Sequence, residues 1–449
     1  MRLAAIAWVG IALLLAACAS TPSQPPRLIG LAADASRLSV DVSRIRVAPL
    51  KPHRFDPAAG LDPTDVAVLA VLNSPDLAAR RADARIAAAQ TFAAGLLPDP
   101  ELALSADFPL HPGPAVSTAD NINPSLNLIG IITHSAALKA ARASERQADL
   151  DLLWAEWAAA QQARELAVTI VSGDVRIKVL EEMAQETGER ARLMQEAERR
   201  GDVSVAAASA DLLASQDARL QLETARHEVQ TSRAELNGLI GLQPAVVLKL
   251  VASPNAFAVT GPAITRAEGS IADRRPDLLA LRAGRDSQDA NLRKALLARF
   301  PLINVGFSHQ TDNSDITSNG PAATLVIPLF NGGRGDIAVA RATRDSLALE
   351  YQARLDETSV GVAIVLRNRE LARSTVARLK AQYSSLAAAA DRGRKAAERG
   401  DLDGGAALAL DEAAHRQQLA ILDAQLALDM AEISLETILF IPADGGPQA

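Results

Sequence analysis

Three short landmarks occur twice in this chain, in the same order and at almost the same spacing. Asn73-Ser74-Pro75-Asp76-Leu77 returns as Arg274-Arg275-Pro276-Asp277-Leu278, with Pro75 and Pro276 offset by 201. Pro100 falls on Pro301 at that same offset, and Arg200-Gly201-Asp202 returns as Arg399-Gly400-Asp401 at an offset of 199. One such coincidence is cheap, but three in register imply a duplicated unit, so the fold is two copies of one supersecondary plan.

Each copy reads helix, strand, strand, long helix, turn, helix. The first helix runs from Pro75 to about Leu97 and stops before Pro98 and Pro100, as proline requires. Leu102, Leu104, Ala106 and Phe108 then alternate with Ala103, Ser105 and Asp107, the period of a two-faced strand over 102–108. Beyond the Pro/Gly-rich loop at 109–114, a weaker strand is expected over 124–130, with Leu126 and Leu128 on one face. In the second copy Ile303, Val305 and Phe307 alternate with Asn304, Gly306 and Ser308 over 302–309. A polar loop is expected at 311–321 and a return strand over 324–330. The turn Asn331-Gly332-Gly333 supplies residues that tolerate positive φ where strand becomes helix.

The stretches 132–199 and 336–399 contain no proline, and each helix could span on the order of 100 Å. Composition agrees: hydrophobic residues are 49% of the chain but aromatics only 3%, with alanine dominant, which suits long, closely packed helices. In the last helix the apolar positions Leu419, Leu422, Leu426, Met430, Ile433, Thr437 and Phe440 step by threes and fours, a coiled-coil seam. The fold class is therefore mainly α with a small β part: long helical hairpins plus four strands per chain.

The ends are read separately. Arg2 precedes an apolar run from Leu3 to Leu15, too short to span a membrane, and Leu15-Ala16-Ala17 leads to Cys18, the only cysteine. This reads as a signal peptide over 1–17. The ending resembles the bacterial lipobox, which implies that Cys18 is the lipid anchor; Ala19 in place of Asp points to the outer membrane. The remaining division is a tether at 18–60, the first unit at 61–250, a Pro/Gly-bearing linker at 251–272, the second unit at 273–441, and a disordered tail at 442–449. The net charge of −7 offers no basic surface, so nucleic acid is not an expected partner.

Four strands with one apolar and one polar face cannot close alone, and unpaired edges are not tolerated in hydrocarbon. Three chains would give twelve strands in one closed barrel, continuing into a tube of helices. The motifs point the same way. Arg274-Arg275-Pro276-Asp277-Leu278, then Phe300-Pro301, then Pro328-Leu329-Phe330-Asn331-Gly332-Gly333-Arg334 resemble the signature of TolC-like outer membrane factors, over roughly residues 60–441 and in the lipoprotein branch. The resemblance implies a homotrimer in the outer membrane, with most of its mass in the periplasm. It also implies a periplasmic adaptor and an inner-membrane transporter, of the RND type, as partners, and a passive efflux duct without cofactor or chemistry. The first copy departs from the pattern: Asn73-Ser74 replaces Arg-Arg, and Leu128-Ile129-Gly130 lacks the double glycine.

In that family the helical turns lie at the periplasmic tip, where acidic side chains narrow the pore. The matching positions are the turn glycines Gly201 and Gly400 with Asp202, Asp401 and Asp403. These three aspartates are candidates for a carboxylate ring, since three-fold symmetry gathers identical charges. The alternative is that they are solvated residues starting helices, where aspartate is favoured anyway.

No catalytic or metal residues are expected. Glu412 and His415 have the spacing of a di-iron ligand pair, but the required second pair is missing, Glu223 and His227 being four apart. The repeated Arg-Gly-Asp is explained by turn chemistry. The closest rival is a lipid-anchored periplasmic adaptor, which carries one hairpin rather than two.

Overall fold

The computed structural model describes residues 30–41, 43, 45–47, 50, 60–110, 113, 116–252, 259–300, 302–327 and 330–441. Cys18, the signal at 1–17 and the tail at 442–449 lie outside the described residues, as do Pro301 and the Pro328-Leu329 pair of the family motif.

In chain order the elements are α1 (Pro63–Asn73), α2 (Pro75–Ala94), β1 (Glu101–Asp107), β2 (Ala119–Asn127), α3 (Leu128–Arg200) and α4 (Val205–Leu239), and then α5 (Gly261–Arg274), α6 (Pro276–Leu297), β3 (Leu302–Thr311), β4 (Thr317–Val326), α7 (Arg334–Glu398) and α8 (Gly404–Leu439). The second six repeat the first six. At 73 and 65 residues, α3 and α7 are each roughly 100 Å long.

The strands form one antiparallel sheet in the order β1-β2-β3-β4. β2 runs earlier than the expected 124–130: it spans Ala119–Asn127, and Leu128–Gly130 already belong to α3. Asn127 explains the boundary, since its side chain accepts from Gly130 N at 3.0 Å and caps the helix. Pro124 obscured the strand. It sits inside β2, opposite Leu102, and the pairing with β3 skips Asn123 and Pro124 because proline has no N–H to give.

β4 likewise runs over Thr317–Val326 rather than 324–330, so the expected 311–321 loop is mostly strand. The true turn is 312–316, where the Asp312 carboxylate accepts from Ser314 N and Ile316 N, and Asp315 takes φ 67°. The polar composition of Thr317 to Asn319 reads as loop, but side-chain polarity does not stop edge-strand pairing. The first helix ends at Ala94 on the cap Gly95, short of the expected Leu97.

Two segments read as linker and tether carry more structure than their composition announces. The linker at 251–272 contains most of α5, whose Ile264 and Ala267 bury against Val362, Leu435 and Leu439. Pro262 stands in its first turn, where its missing N–H has no helical partner to lose. The tether at 18–60 is partly fastened: Ile45, Val47 and Leu50 bury against α1 and Trp157.

The helices are laid out as a row. In the half near the sheet the neighbours run α2, α3, α6, α7; in the far half they run α4, α3, α8, α7. On α4 a strict heptad, Ala208, Ser215, Leu222, Val229 and Leu236, is buried. Gly173 of α3 admits this close approach, since a Cβ there would meet Val229 Cγ2 at 2.4 Å. The seam expected on α8 is shifted. Leu419 and Ile433 are buried as read, but Leu422, Leu426, Met430 and Thr437 are half-buried, and Leu435 and Leu439 take the core positions. The cause is that α8 packs against two helices, α3 and α7, rather than one.

Candidate functional site

The features that could carry function are the sheet, a belt of buried ion pairs midway along the helices, and the far helical turns. The pairing register sorts the sheet into two chemistries. Leu104, Ile122, Leu126, Val305, Phe307 and Leu325 share one face, while Ser105, Asn121, Ser125, Asn304, Gln310 and Thr324 share the other. Val305 and Phe307 are exposed, whereas Asn304 and Gly306 are half-buried on the opposite face. Ten-residue strands such as β3 and β4 suit a bilayer crossing at a tilt, which needs about 9–11 residues. No helix among the described residues is long and apolar enough to cross a membrane. Gly306 is fixed by contact, because a Cβ there would stand 2.2 Å from Pro124 O.

At the mid-helix belt, charges are buried in pairs. Arg275, from the Arg-Arg-Pro-Asp-Leu motif, donates to Asp277 at 2.6 and 2.9 Å and to Thr358 Oγ1 at 2.7 Å, and lies 4.6 Å from the centroid of Trp154. In the first unit the matching Ser74 is a small buried N-cap that accepts from Leu77 N, so no arginine is needed there. Arg81 donates to Glu156 at 2.7 Å. Arg164 of α3 donates to Glu436 of α8, and burial outweighs the arginine's pull, pushing the Glu436 carboxyl up to about 7. Trp157 donates from Nε1 to Thr437 O at 3.2 Å and meets Phe440 edge-on at 5.2 Å. No local sequence pattern marks these long-range partners; the Arg274-Arg275 pair of the motif is the one signal.

At the far end Gly201 and Gly400 adopt φ of 82° and 78°, a left-handed conformation in which a side chain would be strained. Asp202 pairs with Arg200 at 3.0 Å and Asp401 with Arg399 at 2.9 Å, both at the surface. Asp403 caps α8, accepting from Ala406 N at 3.2 Å. Each candidate aspartate is thus engaged within its own turn. The two turns nevertheless lie side by side: Arg190 of α3 pairs with Asp211 of α4 at 2.8 Å and donates to Gly405 O of α8 at 3.2 Å. One level up, His415 lies 3.6 Å from Glu182 and 3.5 Å from Glu186 across the same seam, and burial raises the Glu186 carboxyl. At the strand-to-helix junction Gly332 and Gly333 have φ of 53° and 68°, with Asn331 O accepting from Arg334 N at 3.0 Å.

A two-faced four-strand sheet drawn out into a row of long antiparallel hairpins is the architecture of the TolC-like outer membrane factors, and the chain resembles them in fold as in motifs. It is 24% identical over 250 residues to the cation efflux system protein CusC of Escherichia coli K12, a match covering 51% of this chain. The chain spans about half (54%) of the length of the curated relatives it matches. No family model matches. A crystal structure of CusC superposes over 94% of this chain and 99% of its own, with TM-score 0.67 and 15% identity. The outer-membrane channel OprN covers 94% and 98%, with TM-score 0.70 and 16% identity. The Campylobacter jejuni CmeC outer membrane channel covers 94% and 90%, with TM-score 0.67 and 14% identity. The fold falls with these channels and does not fit the rival adaptor.

Proposed function

We propose that this chain is the outer-membrane channel of a tripartite efflux system, a passive duct that works as a homotrimer. The observation that supports it is geometric. Sheet and helix row are both open at both ends, at β1 and β4 and at α7 and its opposite end (α2 near the sheet, α4 in the far half), and the opposite edges of other copies can close them into a ring. Twelve strands would form the barrel in the outer membrane, apolar face to lipid, and the helices a tube across the periplasm. A periplasmic adaptor and an RND-type inner-membrane transporter would feed it, and Cys18 would add a lipid anchor. Since the relatives include a cation efflux protein, metal ions are the first cargo to assay.

The tip turns would gather around one opening. Asp202 and Asp401 share their charge with Arg200 and Arg399, so on this reading Asp403 contributes most to any carboxylate ring there. Asp401→Ala with Asp403→Ala should alter conductance or cation block while assembly survives; unchanged conductance, selectivity and block would leave them as ordinary turn residues. The whole reading is tested by deletion in the native host. Loss of export with normal transporter levels is expected, and full export without the protein would refute it.

A further inference from the structure

Where α2 packs on α3, the first unit holds a groove of about 450 Å³ whose two walls carry opposite charge. Arg81 and Arg85 stand on α2, one helical turn apart, and Arg46 of the tether joins them. Glu145, Asp149 and Glu156 face them from α3. Acids and bases are equal in number, so the groove as a whole favours neither a simple anion nor a simple cation. A molecule that carries both signs can use both walls.

Two of the pairs are already closed. Arg46 lies 3.3 Å from Asp149, and Arg81 gives both Nε and Nη2 to one oxygen of Glu156, at 3.1 and 2.7 Å. The other oxygen of Glu156 is left over. The residue is 1% exposed, and its Oε2 is buried without a hydrogen-bond partner. Such an oxygen is costly until a donor reaches it. Among the described residues neither Arg85 nor Glu145 has an ion-pair partner; Arg85 donates from Nε only to Arg81 O of its own helix, at 3.3 Å. Arg81 fixes the level of Glu156, so Arg85, one turn nearer the sheet on the antiparallel α2, falls between Glu156 and Glu145. Those two acids are about 16 Å apart along α3. The repeat does not demand this set. In the second unit Asp286 stands at the place of Arg85, at the offset of 201, and Leu355 at that of Glu156, at the offset of 199.

We infer that this groove binds a free basic amino acid of the lysine type, with its α-ammonium on Glu156 Oε2, its carboxylate on Arg85 and its side-chain ammonium on Glu145. The methylene chain runs over Ala84, Ala88 and Leu152, the apolar part of the lining. Arg85 presents a fork suited to a carboxylate, and an ammonium supplies the donor that Glu156 lacks. A diamine leaves Arg85 unused, and a neutral amino acid leaves Glu145 unused. The site goes beyond the duct reading and does not depend on it.

The test is isothermal titration calorimetry of lysine into the full-length, detergent-solubilised protein. Saturable binding at one site per chain is expected. Nε-acetyllysine, which lacks the second ammonium, should bind several-fold more weakly, and cadaverine, which lacks the carboxylate, about tenfold more weakly or worse. Arg85→Gln should weaken lysine by about tenfold or more, and Glu145→Gln should bring lysine down to the affinity of Nε-acetyllysine. Neither residue holds an ion pair of the fold, so both variants report on the site with the buried contact of Arg81 and Glu156 intact. Absence of saturable lysine binding to folded wild-type protein, equal affinity for cadaverine, or wild-type affinity for lysine in Arg85→Gln overturns the inference. None of these results bears on conduction by the duct.

Discussion

At matching positions the two hairpins carry the same ion pair with its charges exchanged. Asp174 of α3 pairs with Arg233 of α4 at 2.6 Å, whereas Arg373 of α7 pairs with Glu432 of α8 at 3.2 Å. In each hairpin an arginine near the pair also grips a passing backbone carbonyl: Arg233 reaches Leu248 O, and Arg369 reaches Val259 O while donating to Glu432. What the two units keep in common is the place of the contact and not its polarity. A helical hairpin needs opposite charges across its seam and a clamp on the adjoining segment, and either assignment of acid and base supplies them. The same holds elsewhere. Asn127 starts α3 through a side-chain cap, while α7 starts through two left-handed glycines; Glu436 is buried in an ion pair where the equivalent Asn237 is buried in neutral hydrogen bonds.

The largest effect should separate Glu436 from Asn237. Glu436→Ala leaves Arg164 buried beside a cavity and should cost about 3–5 kcal/mol. Asn237→Ala loses hydrogen bonds to the carbonyls of Gln243, Pro244 and Val246 and should cost about 1–3 kcal/mol. Chemical denaturation of the two variants checks the order, and equal losses would erase the distinction. Glu436 also carries a pH signature. Because its folded pKa is raised to about 7, the folded state holds a proton that the unfolded state releases above about 4.5. Stability from this group should therefore be complete at low pH and decline between about 4.5 and 7. Glu436→Gln should flatten that part of a stability–pH curve.

Next come the two faces of the sheet. Arginine at Val305 or Phe307 should cost about 2–4 kcal/mol in lipid, and arginine at Asn304 or Ser308 much less. A substitution scan across 303–308 that shows no two-residue period in folded yield would defeat the lipid-facing assignment.

The charge exchange makes a smaller and sharper prediction. Asp174→Arg alone should cost roughly 1 kcal/mol, since the pair is partly solvated, and adding Arg233→Asp should recover most of it, as a double-mutant cycle would show. No recovery would mean that the surroundings of the first hairpin fix the polarity. Smallest is the comparison of helix starts: Gly333→Ala should lose about 1 kcal/mol through backbone strain, and Asn127→Ala a similar amount through the lost cap.

Much of this plan is legible in the sequence, for a physical reason. Pro75 and Pro276 can start helices but not continue them, Gly201 and Gly400 take the turn conformation that other residues resist, and the alternation from Ile303 to Phe307 has the period of a strand. Legibility fails where a local signal is overridden. Pro124 lies inside β2 because the neighbouring strands pair around its missing N–H. Thr317 to Asn319 look like loop but pair at an edge. The connector around Pro262 is helical because its apolar side chains find α8. At the tip, Asp202, Asp401 and Asp403 could be located by spacing, but their arginine and backbone partners depend on side-chain geometry that spacing does not carry. The contacts of Arg164 with Glu436 and of His415 with Glu182 and Glu186 cross more than 200 residues, with no local pattern to announce them.

The central claim, that the two unlike open edges of each copy close on those of the next into a conducting ring, is tested most directly by adding the purified full-length protein to a planar bilayer and recording current at fixed voltage. The account predicts discrete, uniform current steps from a particle whose solution mass is three chains. Protein that inserts as single chains, or trimers that produce no steps under any ionic condition, would contradict it.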